Sequence, residues 1–381
     1  MAGSHLRSGR RGPGRTLILT AIVALLVGLL AGGGATLVLL ESDDDTSVET
    51  DDIPTDAERG SAAAEPDATT ASPPGSITLA FAGDINVEHS LATRLENDPE
   101  GFVGPFADLL RGADLAVGNL EAALVTGGTP LDKEYTFRAP PSVIDALVAG
   151  GFDVLSAANN HAMDYGREGL PESIALKRSR ADGAIIGIGE DEDEAYAPYV
   201  ADVGGHTVAI IATTGAGDVD LIESWTATVD QGGVASASRS DRLVEEVVAA
   251  RAVADTVVVY LHWETAAEMC PNTDQQDLAA ELSDAGADLI IGTGAHRVQA
   301  AGRLGDSFVG YGLGNFLFGA VSDEARMTGV LLVEVSGRRV LGYEWRPGRI
   351  DDRVPIPLEG DEAASAVDAW DGLRDCTDLT G

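Results

Sequence analysis

The sequence predicts an α/β sandwich, a sheet-rich domain with helices on its faces, and three observations predict it. A unit recurs in which an amphipathic stretch stops at glycine and is followed by an aspartate, about four apolar residues and a polar cluster. The apolar runs are near-continuous rather than alternating, as in strands buried on both faces. Helix-like and strand-like segments also alternate along the chain, which is the order of βαβ units.

Residues 76–84, SITLAFAGD, open the domain as a lone strand. FADLLRGADLAVGNLE (106–121) is the first full unit and VIDALVAGGFDVLSAANNH (143–161) the second, each a helix, a glycine stop and a buried strand. The acidic run Glu190–Glu194 reads as a solvated loop, and His206 in GGHT as part of a hairpin-like turn. RLVEEVVAARAVADTVVVYLHWE (242–264) varies the unit, and LAAELSDAGADLIIGTGAH (278–296) restates it. After residue 305 the runs SFVGYGLGNFLF, MTGVLLVEVSG and RRVLGYEW follow one another, with a Ser336–Gly337 turn and no helix pattern between them. These are expected to form an antiparallel second portion of the sandwich.

Composition excludes several functions. The chain has 381 residues, 62 acidic against 25 basic, for a net charge of −37. Such a surface repels a phosphate backbone, so no nucleic-acid partner is expected. Two cysteines make neither a disulfide-dense scaffold nor a cysteine-rich zinc module. Charge falls in blocks. Residues 1–15 carry Arg7, Arg10, Arg11 and Arg15 and no acid, and residues 16–40 carry no charge at all. A run of that length exceeds the roughly 20 residues a bilayer-spanning helix needs, and it outruns the apolar core of a cleaved signal peptide. Residues 41–75 then hold eleven acids and one arginine, a composition too polar to fold, which reads as a disordered tether. The expected organisation is a basic cytoplasmic tail (1–15), a single-pass cell-membrane anchor (16–40), an acidic linker (41–75) and an extracytoplasmic domain (76–381), oriented by the arginines before the span. An exported domain permits Cys270 and Cys376 to pair, with free thiols as the alternative.

In parallel sheets the ligand site lies off the carboxyl ends of the strands. There the sequence delivers Asp84, Asn119 to Glu121, Asn159 to His161, His262 to Glu264, and His296. Carboxylate, amide and imidazole without thiolate is the donor mixture of hard and borderline divalent metals such as Mn, Fe, Zn or Mg. Asp84, Glu121, Asn160, His262 and His296 are the candidate ligands, and His161 is the candidate catalytic proton donor. Asn119, Arg138 and Glu264 are candidate substrate contacts, Arg138 through a planar fork that suits carboxylate or phosphate. Asp164 and Gly166 are expected to shape their loop, and Asn315 serves either a turn or the site. His89 and His206 are assigned no function.

The stretches FAGDIN (81–86), VGNLEAAL (117–124), EYTFRAPP (134–141), AANNHAMDYGREGL (157–170), VVVYLHWETAAE (257–268), GTGAHRVQ (292–299) and GLGNFLF (312–318) occur in an order that resembles the CapA family of poly-γ-glutamate capsule proteins. That family's domain is similar to calcineurin-type metallophosphoesterases, so the resemblance implies a metallophosphoesterase-like four-layer domain. It places Asp84 in the first motif, Glu121 at the bridging carboxylate, Asn160 and His161 at the ligand-and-acid pair, and His262 and His296 at the later histidines. Two positions depart from the pattern: Asn86 and Gly294 stand where metallophosphoesterases carry histidine. The resemblance further implies the poly-γ-glutamate polymer and membrane-embedded synthase subunits as partners. It implies either a metal-dependent hydrolase or transferase acting on the polymer, or a non-catalytic export or anchoring component.

Overall fold

The computed structural model describes residues 75–215, 219–263 and 268–381. The basic tail, the apolar span, the linker up to residue 74 and Glu264 lie outside the described residues. No helix among the described residues is long and apolar enough to cross a membrane.

Two sheets are built from the expected strands. In the first, Ile77–Ile85 lies between Leu115–Leu120 and Met327–Ser336. Val154–Ser156 and Ala184–Ile186 extend it in parallel on one side, while Arg339–Asp351 and Val354–Pro357 extend it antiparallel on the other. In the second, Thr256–His262 lies parallel between His206–Thr214 and Leu289–Thr293. Ser307–Gly310 follows in parallel, and antiparallel strands Tyr199–Val203 and Ala301–Leu304 close the two edges.

Apolar packing makes this a mixed α/β fold of four layers. One cluster joins Leu79, Phe81 and Val117 of the first sheet to Ile210, Tyr260 and Ile291 of the second, so the sheets pack face to face. The outer face of the first sheet meets Leu91, Leu110, Leu147 and Ile174 from the helices Ser90–Asn97, Ala107–Arg111, Ser142–Ala149 and Gly166–Ser179. The outer face of the second meets Leu243, Val247, Ala279 and Leu282 from Ser240–Arg251 and Thr273–Ala285. Both faces of each sheet are therefore covered, which explains the near-continuous apolar runs. The Tyr260 hydroxyl donates to the Ala82 carbonyl and ties the sheets together one residue from Gly83.

Two expectations are corrected. The acidic run is not a loop: Glu192–Tyr196 is a short helix whose N-cap Asp191 accepts from the Glu194 amide, with Glu192, Asp193 and Glu194 in its first turn. Acids at a helix N-terminus complement its dipole, so a charge run that looks like loop is a favourable helix start. The segment after residue 305 is also neither uniformly antiparallel nor free of helix, since the short helix Asp323–Arg326 precedes Met327–Ser336. Met327–Ser336 and Arg339–Asp351 form the expected hairpin, but Ser307–Gly310 and Asn315–Leu317 lie parallel to Leu289–Thr293 and Ile77–Ile85. The two short strands are too brief for periodicity to reveal their direction. Cys270 and Cys376 are disulfide-bonded with Cα atoms 6.0 Å apart, linking the segment that precedes Thr273–Ala285 to the C-terminal end.

Candidate metal centre

Asp84 reaches the site through a bulge. Register between Ile77–Ile85 and Leu115–Leu120 shifts between Phe81 and Asp84, and bulges re-aim side chains at strand ends. Gly83 makes room for it: a Cβ there would lie 1.9 Å from the Gly314 carbonyl oxygen, which accepts from the Asp84 amide at 3.0 Å.

The Asp84 carboxylate is fully buried. Its Oδ1 accepts from Asn119 Nδ2 at 2.8 Å and its Oδ2 from the Gly294 amide at 3.2 Å. His262 Nδ1 and His296 Nδ1 stand 3.6 and 3.3 Å from its oxygens. Glu121 is equally buried, and neither of its oxygens has a hydrogen-bond partner among the described residues. Around Glu121 Oε1 stand His161 Nε2 at 3.6 Å, His296 Nε2 at 3.8 Å and His262 Nε2 at 3.9 Å. These gaps are too long for hydrogen bonds. They approach the about 3.4 Å that separates two donors sharing one tetrahedral cation with bonds of about 2.1 Å. Ligand atoms of Asp84, Glu121 and His262 all lie within 4.8 Å of one another. A buried carboxylate with no donor is costly, and a divalent cation is the partner that this donor set fits.

Electrostatics agree. Burial pushes the Asp84 carboxyl up, but the close imidazoles of His262 and His296 outweigh it and leave Asp84 well below the ordinary carboxylate range. At Glu121 burial prevails, reinforced by the Asp84 charge, and its carboxyl is raised against the pull of the three imidazoles. Burial opposes charging His262 and His296, yet Glu121 and Asp84 raise both, His296 to about 10. Protons and a cation compete for the same acceptors.

His161 is held by its neighbours. Its Nδ1 lies 2.6 Å from Asp164 Oδ2, the ring stacks on Phe137 with centroids 4.1 Å apart, and Nε2 faces Glu121. Asp164 also accepts from the Phe137 amide at 2.6 Å and from Lys133 Nζ at 2.5 Å. Asn159 donates to Asn119 Oδ1 and accepts from the His161 amide, so an amide chain links Asp84 to His161 beneath the site. Asn160 Oδ1 lies 3.1 Å from His262 Nε2. His296, at positive φ, is oriented by Asn315 Oδ1 at 2.8 Å from its Nδ1. The cluster opens into a cleft of about 1190 Å³ whose lining includes Asn86, Lys133, Phe137, His161, His296 and Phe318.

With this geometry in view, the family described as bacterial capsule synthesis protein PGA_cap matches residues 78–320. The chain belongs to that family. The PGA biosynthesis protein CapA of Bacillus subtilis is 27% identical over 289 residues, covering 75% of this chain and 74% of that one. The capsule biosynthesis protein CapA of Bacillus anthracis is 31% identical over 251 residues, 64% of this chain and 60% of that one. The solved structure of a novel phosphatase from Mycoplasma pneumoniae is similar over 76% of this chain and 96% of its own, at 14% identity and a TM-score of 0.46.

Within this family member, the structure gathers Asp84, Glu121, Asn160, His161, His262 and His296 as the sequence predicts. Two predicted substrate contacts, Asn119 and Arg138, do not line the cleft. Asn119 is fully buried and donates to Asp84, with His262 Nδ1 3.0 Å away, an arrangement that positions both side chains from beneath the site. Arg138 is exposed, lies over the Tyr165 ring and lines a smaller pocket that shares Glu88 and His89 with the cleft. It alternates with Phe137, and in an extended segment only one of two successive residues can face the site. Sequence reasoning missed Lys133 and Phe137 and gave Asp164 only a loop role, although His161 and Asp164 sit three apart. The Gly294 departure is also structural. Its φ is +92°, where a side chain is strained, and a Cβ there would lie 3.0–3.1 Å from the His262 ring, which would have to give by a few tenths of an ångström.

Proposed function

We propose that this chain is a membrane-anchored, extracytoplasmic protein of poly-γ-glutamate capsule biosynthesis that acts on the polymer as a metal-dependent hydrolase or transferase. Family membership and the names of the CapA relatives support the pathway. The arginines before an uncharged run of 25 residues support the anchor and its orientation. The single observation that carries the chemistry is Glu121, fully buried among three imidazoles with both oxygens unpartnered among the described residues.

Asp84, Glu121, His262 and His296 would hold the cation, with Asn160 as a further oxygen donor. When bound, a divalent metal polarises an acyl or phosphoryl oxygen and makes water nucleophilic near neutral pH. The protein's residues do the rest. Asp164 fixes the His161 ring and keeps Nδ1 protonated, so Nε2 is the atom that exchanges a proton with a leaving group. Phe137 stacked on that ring keeps it from rotating away. Asn119 holds Asp84 in register while Asn315 does the same for His296.

The test is incubation of manganese-loaded protein with γ-linked polyglutamate, following polymer length by size exclusion. Shortening or transfer is expected, slowed roughly 10²–10⁴-fold in His161→Asn. A specific observation favours a second reading: Asn86 and Gly294 leave the ligand set two imidazoles short. In that reading the chain binds or guides the polymer beside membrane-embedded synthase subunits. Unchanged polymer length with polymer still bound would select it.

A further inference from the structure

The cleft above the cluster is lined by two guanidiniums that make no ion pair among the described residues, although the Glu324 charge acts on Arg297 from beyond ion-pair distance. Arg297 and Arg353 both face it, and among the described residues neither has a carboxylate within 4.0 Å. Of the three arginines that line the cleft, Arg326 reaches Asp351 at 3.7 Å, which leaves Arg297 and Arg353 as the two without an ion-pair partner among the described residues. Arg297 sits next to His296 in sequence, its Nη1 donating to the His296 carbonyl at 2.8 Å and its Nη2 to Ser322 Oγ at 3.3 Å. The acids that share the cleft are Glu88, Asp132, Glu134 and Asp352, and Asp352 accepts from Ser90 Oγ at 3.2 Å.

Arg353 is held in place against backbone preference. The strands Arg339–Asp351 and Val354–Pro357 pair Asp351 with Val354, leaving a two-residue turn. Its residues, Asp352 and Arg353, have φ of 41° and 69°, the left-handed region where such turns usually place Asn and Gly. An arginine there is strained, and strain of this kind persists at ligand clamps. Gly319 leaves space for it: a Cβ at that position would lie 2.4 Å from Arg353 Nη1. The Phe318 amide donates to the Arg353 carbonyl at 3.2 Å, and the Phe318 ring packs on His296. The turn is thereby fastened to the metal cluster's own wall.

We propose that Arg297 and Arg353 form an oxyanion-binding subsite beside the metal centre, which takes an anionic group of the substrate through charge-assisted hydrogen bonds. A side-chain carboxylate of a γ-linked glutamate chain and the phosphate of an ester share that chemistry. The inference rests on the proposed function for the polymer's identity and on the cleft geometry for the subsite itself. It also accounts for how so acidic a protein can receive a polyanion.

The test measures binding of a fluorescent γ-linked glutamate oligomer, and separately of inorganic phosphate, to the full chain loaded with manganese. Metal per chain is measured on every variant. Arg353→Gly relieves the positive φ while removing the guanidinium, so it is expected to fold with an unchanged or higher Tm and to bind the oligomer roughly tenfold more weakly. Arg297→Gln should lose a similar factor, and Arg353→Lys less. If both variants bind the oligomer as tightly as wild type, the subsite is overturned while the polymer reading stands. Arginine-dependent binding of phosphate without the oligomer would uphold the subsite and overturn the polymer reading. Failure of wild type to bind either probe would overturn both.

Discussion

Replacing Asp164 by asparagine removes one charge from a buried site where both carboxylate oxygens have donors. Asp164 is fully buried, Lys133 is 16% exposed, and they meet at 2.5 Å. Oδ1 faces Lys133 Nζ, and Oδ2 faces both the Phe137 amide and His161 Nδ1. Whichever way an asparagine amide turns, its nitrogen meets a donor. Breaking a buried pair from one side costs about 3–5 kcal/mol. With an unfolding entropy of about 2.1 cal/mol/K per residue, a domain of this size shifts by about 1.6 °C per kcal/mol, so Tm should fall by roughly 5–8 °C. Thermal unfolding of Asp164→Asn, Lys133→Met and the double variant reads this directly. The double variant should recover at least about 1 kcal/mol of the summed losses. A loss below about 1 kcal/mol for Asp164→Asn, or full additivity, would refute a coupled network holding His161.

Metal affinity should rise with pH, because the raised pKa values of Glu121, His262 and His296 mean that binding expels protons. Calorimetry in buffers of different ionisation heat should show proton release at pH 7, fading as pH passes about 10. In the metal-free protein, the raised His296 value contributes stability that is complete below its unfolded pKa near 6.5 and lost as pH rises through about 10. Gly294→His, which restores a metallophosphoesterase-like histidine, should weaken manganese binding instead of strengthening it, through about 1–3 kcal/mol of backbone strain and a tight contact with the His262 ring. Equilibrium titration would show tighter binding if that geometry were wrong. Replacing Cys270 and Cys376 by serine opens a cross-link between positions 106 residues apart and should cost about 3–5 kcal/mol in denaturant unfolding.

The recurring helix–strand unit was legible because each strand is buried on both faces and each helix on one, so the pattern survives in the sequence. The polar strand ends were legible for the same reason: Asp84, Glu121 and His262 follow apolar runs that fix where they emerge. What stayed hidden depends on contacts across the fold. Nothing local distinguishes Asn119, which faces Asp84 inside the molecule, from a residue that meets substrate. Phe137 and Arg138 are neighbours, and only the packing of Phe137 on His161 decides which one faces the site. Lys133 reaches Asp164 across 31 positions, a separation no sequence period encodes. Arg353 reads as an ordinary surface charge until its turn is seen at positive φ over the cleft.

The most direct measurement is elemental analysis of the purified chain after mild dialysis, beside Glu121→Ala. At least one divalent cation per chain in wild type, absent from a folded Glu121→Ala variant, is the predicted result. No cation in either protein, even after loading with manganese, zinc, iron or magnesium, would contradict a metal centre at Asp84, Glu121, His262 and His296.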